Sequence, residues 1–250
     1  MTFLREETCD KCGEEIKVYE IEMPFGPYKG EKREVRDGCK CKQKEIARAA
    51  VEGQQQIAEM RMKRLFNQYS LISPNLQQAT IESYEPKNNS QAKAKKIAER
   101  YVESFDLKDP KNLLIVGAYG IGKSHLAKGI TDKLIEKGHS AVFISVPKLL
   151  TRFRDTYNKD SDVSEWEMIE TLGSVNLLVL DDLGSEKQSE WAWEKLFEIV
   201  DSRQGMHTIY TTNFAIKDLA KKLGERNFSR VMNENSYEVL MDGDNHRLIH

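Results

Sequence analysis

"LLIVGAYGIGKSHLAKG", residues 113–129, runs an apolar strand straight into three glycines, a lysine and a serine. Leu113 to Val116 are large aliphatics with no polar interruption, as in a strand buried on both faces. Gly117, Gly120 and Gly122 break that pattern, and His125 to Lys137 then reads as a helix. The spacing G-x-x-x-x-G-K-S is the P-loop pattern, in the strand–turn–helix context that the pattern requires. The glycines let backbone N–H groups of Gly117, Ala118, Tyr119, Gly120, Ile121 and Gly122 close around phosphate oxygens. The helix opening at Ser124 and His125 favours an anion. Lys123 reaches toward β and γ phosphates, and Ser124 brings a hydroxyl for magnesium.

A second element agrees. "VNLLVLDDLGS" (175–185) is an apolar strand that ends in two acids. Beside a P-loop, the first acid, Asp181, holds the hydration shell of Mg2+, and Asp182 is placed to polarise the attacking water. Taken alone, two acids capping a strand end would be the plainer reading. A third strand, "TIYTTNF" (208–214), ends in Thr211-Thr212-Asn213 and puts a neutral amide where the lytic water would lie. ATP and Mg2+ are the expected ligands.

From residue 112 onward apolar runs alternate with helical patterns: Leu113–Val116, Ala141–Ser145, Leu177–Asp181, Thr208–Thr211 and Tyr237–Met241. Five strands separated by helices predict an α/β three-layer fold with a five-stranded, mainly parallel sheet. Ahead of it, "SPNLQQATIESYEPKNNS" (73–90) is rich in turn formers and reads as a boundary. A basic helix over Gln91–Phe105 follows, closed by Asp109-Pro110.

The 250 residues allow one sizeable domain and a smaller module. With 38 Lys and Arg against 40 Asp and Glu, no global field announces nucleic acid, so any such binding must come from local patches. No apolar run approaches the roughly 18 residues needed to span a bilayer. The start, MTFLREETCDKC, turns charged too early for a secretory signal. A cytoplasmic protein without membrane contact is the expectation.

All four cysteines fall within the first 41 residues: Cys9-x-x-Cys12, a 26-residue gap, then Cys39-x-Cys41. Clustering of this kind argues for a local metal site over a disulfide framework spread across the fold. Two close pairs let four thiolates converge on one zinc, Zn2+, with Gly13 and Gly38 supplying turns. The segment between them looks like a small hairpin with too little apolar content to fold unaided, so the metal would supply stability. Residues 42–69 then carry Ile46, Ala50, Ile57, Met60 and Phe66 at helical spacing. That helix reads either as a linker resting on the next domain or as a partner-binding face of Met60, Met62, Leu65 and Phe66.

The P-loop "GAYGIGKSHLAKGI", the strand "LLVLDDLGSE" and the "YTTNF" strand resemble the DnaC/DnaI-type helicase loaders and the related IstB transposition ATPases. These belong to the initiator branch of the AAA+ ATPases. The resemblance covers about residues 110–250. It makes Gly117 to Ser124 the Walker A motif, Asp181 and Asp182 Walker B, and Asn213 sensor 1. "ERNFSRVMN" (225–233) is similar to the helix that supplies an arginine finger to a neighbouring subunit, with Arg230 preferred over Arg226. "GDNHRL" (243–248) nominates Arg247 as sensor 2. The plainer alternatives are a helical Arg230–Glu234 pair and a solvated Arg247. One departure is the second Walker B acid, Asp here and Glu in AAA+ proteins at large, although Asp is familiar in this branch.

"VPKLLTRFRDTYN" (146–158) interleaves Lys148, Arg152 and Arg154 with Phe153 and Tyr157, which suits stacked bases and paired phosphates of single-stranded DNA. Equally, Leu149, Leu150 and Phe153 could pack an amphipathic helix on the sheet. The resemblance implies a zinc-binding, helicase-docking module over 1–70, a linker with the basic helix over 71–109, and an AAA+ ATPase domain over 110–250. Its implied partners are the hexameric replicative helicase, single-stranded DNA, and further copies of the chain through Arg230. A transposition ATPase of the IstB kind and a P-loop small-molecule kinase are the rival readings.

Overall fold

The computed structural model describes residues 1–41, 43–50, 53, 70, 72–157, 164–187 and 189–243. Arg247 and the apolar face at Met60, Met62, Leu65 and Phe66 lie outside them. The chain divides into two compact units, Met1–Met60 and Arg61–His250. No helix among the described residues is long and apolar enough to cross a membrane.

The first unit is a three-stranded antiparallel sheet in the order β1 (Thr2–Thr8), β2 (Glu15–Glu22), β3 (Lys32–Asp37). The β2–β3 hairpin answers to the sequence, whereas β1 was not expected. It pairs with β2, and charge ties it across β2 to β3: Arg5 bonds both carboxylate oxygens of Glu34 at 2.9 and 3.0 Å, and Arg36 pairs with Glu7. Such complementarity appears only once the register, Arg5 opposite Val18 and Val18 opposite Arg36, is known. Val18 alone is buried among the described residues of this unit. One buried valine contributes only ~1.5–3 kcal/mol of burial free energy, too little to hold three strands. Residues 43–50, beyond the last cysteine, are helical.

In the second unit a short 3-10 turn (Pro74–Leu76) and α1 (Asn89–Glu103) precede β4 (Asn112–Gly117). Then follow α2 (Lys123–Glu136), β5 (Ala141–Ser145), α3 (Val146–Asp155) and α4 (Glu165–Ser174). The chain continues through β6 (Leu177–Asp181), α5 (Glu190–Ser202), β7 (His207–Thr212), α6 (Ile216–Val231) and β8 (Ser236–Met241). All five strands are parallel, in the order β5-β6-β7-β4-β8.

Alternation along each strand feeds two apolar layers. Leu113 and Ile115 face Leu126, Ile130 and Leu134 of α2 and Ala94, Ala98 and Tyr101 of α1. Leu114 and Val116 join Leu149, Phe153, Leu172, Leu196 and Leu219 on the other side. The stretch read as a boundary is part of this unit, since Ala79, Ile81 and Tyr84 are buried. Likewise α1 packs on the sheet through Gln91, Ala94, Ala98, Tyr101 and Val102, leaving Lys93, Lys96 and Arg100 exposed. Turn-forming residues marked where the backbone changes direction; they carried no information on what covers it.

Helix α3 also corrects one expectation. Phe153 is fully buried with Leu149 and Leu150, so it cannot stack on a base. The exposed residues of α3 and its following turn are Pro147, Lys148, Thr151, Arg152, Arg154, Asp155 and Tyr157.

Candidate functional site

The sheet order explains why three separate motifs meet. In an open parallel sheet, ligands lie beyond the carboxyl ends of the strands. β6, β7 and β4 are consecutive, so Asp181-Asp182, Asn213 and the P-loop emerge side by side. Together they line one cleft of about 420 Å³, with Tyr119, Gly120, Gly122, Lys123, Ser124 and His125 on the P-loop side.

Within it, the Lys123 ammonium donates to Ala118 O and to Asn213 Oδ1, both at 2.7 Å. The Asn213 amide nitrogen donates in turn to Asp182 Oδ1 at 3.3 Å. Ser124 Oγ donates to Asp181 Oδ1 at 2.7 Å, and Thr211 Oγ1 donates to the same oxygen at 2.6 Å. Asp182 is the one non-glycine residue with positive φ among the described residues, +59°. Its N–H donates to Thr211 Oγ1, so β7 holds the strained residue that follows β6. Burial pushes the Asp181 carboxyl above its usual range and the Asp182 charge adds to this, against the hydrogen bonds from Thr211 and Ser124. A hydroxyl and a crowded carboxylate form a hard oxygen donor set, which fits Mg2+.

Several contributors escaped the sequence reading. Thr211, near the end of its strand, bonds both Asp181 and the Asp182 N–H through one hydroxyl, which no sequence pattern signals. Tyr84 donates through its hydroxyl to Ile121 O at 2.9 Å, and its ring lies where a side chain on Gly122 would stand. Gly122 also has φ +97°, so the turn into α2 needs glycine on two counts. His125 Nε2 lies 2.8 Å from Thr80 O and 3.1 Å from Ser83 Oγ, tying the upstream segment to the P-loop helix. Ser73, Asn75 and Leu76 of that segment line the cleft too, as do Phe143, Ser145 and Lys148. Lys148 therefore stands at the nucleotide side of α3, apart from the other cations of its helix.

Arg230 does not line its own chain's cleft. Its Nε donates to Asp201 Oδ1 at 2.6 Å, so its partner lies on α5 and is not Glu234. Its guanidinium lies 4.6 Å from the centre of the Phe197 ring, which Arg226 also covers at 4.0 Å.

In the first unit the sulfurs of Cys9, Cys12, Cys39 and Cys41 all lie within 4.8 Å of one another. Cys12 to Cys39 is 3.3 Å and Cys39 to Cys9 is 3.2 Å, far beyond a disulfide bond. Four sulfurs around a zinc at ~2.3 Å stand ~3.8 Å apart, so the cluster fits that metal. Gly38, at φ +133°, lets the chain pass Glu15 O where a side chain would collide, and so brings Cys39 to the knuckle. The Lys11 backbone N–H, with the Cys39 thiol second, holds the Cys9 thiol down to about 6, while the Cys12, Cys39 and Cys41 thiols lie above their ordinary value.

Comparison with known proteins agrees with this geometry. A family profile described as "IstB-like ATP binding protein" matches residues 49–245. The replicative helicase loader DnaC of Escherichia coli (strain K12) is 33% identical over 190 residues, 75% of this chain and 76% of that protein. The crystal structure of the DnaC helicase loader superposes with a TM-score of 0.61 at 30% identity, covering 68% of this chain and 99% of the other. The crystal structure of DnaI gives 0.60 at 25% identity, over 71% and 95%. The chain belongs to the IstB-like ATP-binding family, as an AAA+ protein of the DnaC/DnaI type.

Proposed function

We propose that this chain is an ATP-hydrolysing loader of a hexameric replicative DNA helicase, with a zinc-stabilised N-terminal module that docks on the helicase. The observation that carries the reading is the meeting of Lys123, Ser124, Asp181, Asp182 and Asn213 in one cleft, in a chain 33% identical over 190 residues to a protein named as a replicative helicase loader. The small-molecule kinase reading gains no comparable support, and the transposition reading shares the family profile but not the named loader relatives.

Backbone N–H groups from Gly117 to Gly122 and the N-terminus of α2 bind the triphosphate, and Lys123 neutralises its β and γ groups. Lys123 is held by Asn213; a bound phosphate is a stronger, charged acceptor and draws the ammonium away from the amide. Asn213 then remains on Asp182 and helps orient the water that Asp182 polarises. Ser124 and Asp181 are the residues to hold Mg2+, whose charge would stabilise the phosphates in the transition state. Arg230, remote from its own cleft, acts on the nucleotide of a second copy. Arg247 is kept as a sensor 2 candidate on the resemblance alone.

Cys9, Cys12, Cys39 and Cys41 hold one Zn2+, which replaces the core that this unit lacks. Single-stranded DNA meets the outer face of α3 and its following turn, at Arg152, Arg154 and Tyr157. Arg154 lies 4.9 Å from the ring centre of Trp191, and the Trp191 indole donates to Tyr157 Oη, so the aromatic partner of Arg154 is Trp191 in place of Phe153. The test is co-purification of the full chain with the cognate replicative helicase in the presence of ATP and Mg2+. A stable complex supports the assignment, and a helicase that never binds in any nucleotide state removes it.

A further inference from the structure

The Arg230 side chain is held on three sides at once, which an incidental surface ion pair does not need. Its Nε–H donates to Asp201 Oδ1 at 2.6 Å, its Nη1 donates to Arg226 O at 3.2 Å, and its plane lies beside the Phe197 ring. Exposed ion pairs contribute little to stability, so such a pair says little by itself. Here the backbone carbonyl and the ring remove the remaining freedom of a long side chain that is otherwise expensive to order. Asp201 and Phe197 both sit on α5, whereas Arg230 sits on the last turn of α6.

The arrangement also divides the guanidinium. Asp201 takes the Nε edge and the Arg226 carbonyl takes one N–H of Nη1. The N–H groups of Nη2 have no acceptor among the described residues. An arginine acting on a phosphate offers paired N–H groups in a fixed plane, and what it needs from its own subunit is a single rotamer.

We infer that Asp201 is a positioning residue that holds Arg230 ready to act on the nucleotide of a second copy of this chain. The inference rests on the reading of Arg230 as acting in trans. It assigns no contact between Asp201 and nucleotide.

The test mixes two inactive forms of the full chain and reads phosphate release. The acceptor is Arg230→Ala, whose own cleft is intact. The donor is Lys123→Ala, which cannot hold nucleotide but carries Arg230. A donor with both Lys123→Ala and Asp201→Asn should rescue the acceptor about tenfold less well, and Asp201→Glu in its place should recover part of that loss. Adding Asp201→Asn to the acceptor should change nothing, because that subunit offers no arginine. Equal rescue by donors with and without Asp201 overturns the positioning role and leaves the trans role of Arg230 standing. Loss of rescue when the substitution sits in the acceptor marks a structural defect and also overturns it. Absence of rescue by any donor removes the trans role and this inference together.

Discussion

Ser124 Oγ donates to Asp181 Oδ1 across 2.7 Å, joining the first turn of α2 to the last residue of β6. The two residues lie 57 positions apart in the chain; Asp181 ends β6 and Ser124 follows β4, and those two strands flank β7. The bond exists because β6, β7 and β4 are neighbours and all point the same way. Thr211 from the intervening strand completes it by donating to the same oxygen. A phosphate-binding turn and an acid-bearing strand thus share one cleft before any ligand is considered.

Separation of binding from chemistry follows from that cleft. Lys123→Ala is expected to abolish ATP binding, because Lys123 is the lysine that the P-loop itself brings to the β and γ phosphates. Asp182→Asn should keep binding and lower hydrolysis by about 10²–10⁴-fold, the usual contribution of a positioned base. Fluorescent-nucleotide titration beside phosphate release checks both. Undiminished turnover by Asp182→Asn would show that another group activates the water.

Metal removal should split the molecule's two units in their response. Purified protein is expected to carry about one zinc per chain. Chelation should unfold the three-stranded unit, whose sole buried apolar residue is Val18 among those described. ATP binding by the other unit should persist. Hydrogen exchange read strand by strand decides it, and protected β1–β3 amides in metal-free protein would contradict the role given to the cysteines.

Acid should weaken the ATP-binding unit through His207. Burial lowers its pKa below the ordinary 6.5, despite the backbone partners at Asp106 and Lys111. Its Nδ1 accepts from the Lys111 N–H and its Nε2 faces Asp106 O, an arrangement that suits the neutral ring. The unfolded chain therefore binds a proton near 6.5 while the folded one resists it, so stability is full above that value and falls as pH drops below it. His125 and His139 shift the same way, also through burial. Thermal unfolding between pH 7.5 and 5.5 should give a falling Tm, with a shallower slope in His207→Gln. An unchanged slope would mean that the His207 ring carries none of the effect.

Much of the site was legible because parallel strands buried on both faces leave unbroken apolar runs, and their last residues point at the ligand. Leu113–Val116 and Leu177–Leu180 announce their positions in this way, and with them Lys123, Asp181 and Asp182; Thr208–Thr211, half threonine, is a weaker signal that leads to Asn213. What stayed hidden depends on which neighbour covers which face. Phe153 among cations looked like a base-stacking residue until the sheet was seen beneath it. Tyr84 sits in a polar stretch full of turn formers, and only the missing side chain of Gly122 gives it room. Asp201 and Arg230 are 29 residues apart on different helices, and no local pattern joins them.

As a proposed helicase loader, this protein would use ATP to place a ring-shaped helicase on DNA. The direct measurement is strand displacement from a closed circular single-stranded template, onto which a preformed ring cannot thread from an end. The cognate helicase alone should unwind it poorly. Adding this protein with ATP and Mg2+ should raise unwinding strongly, and Lys123→Ala should not. Equal unwinding with and without the protein, under conditions where both bind ATP, would contradict the account.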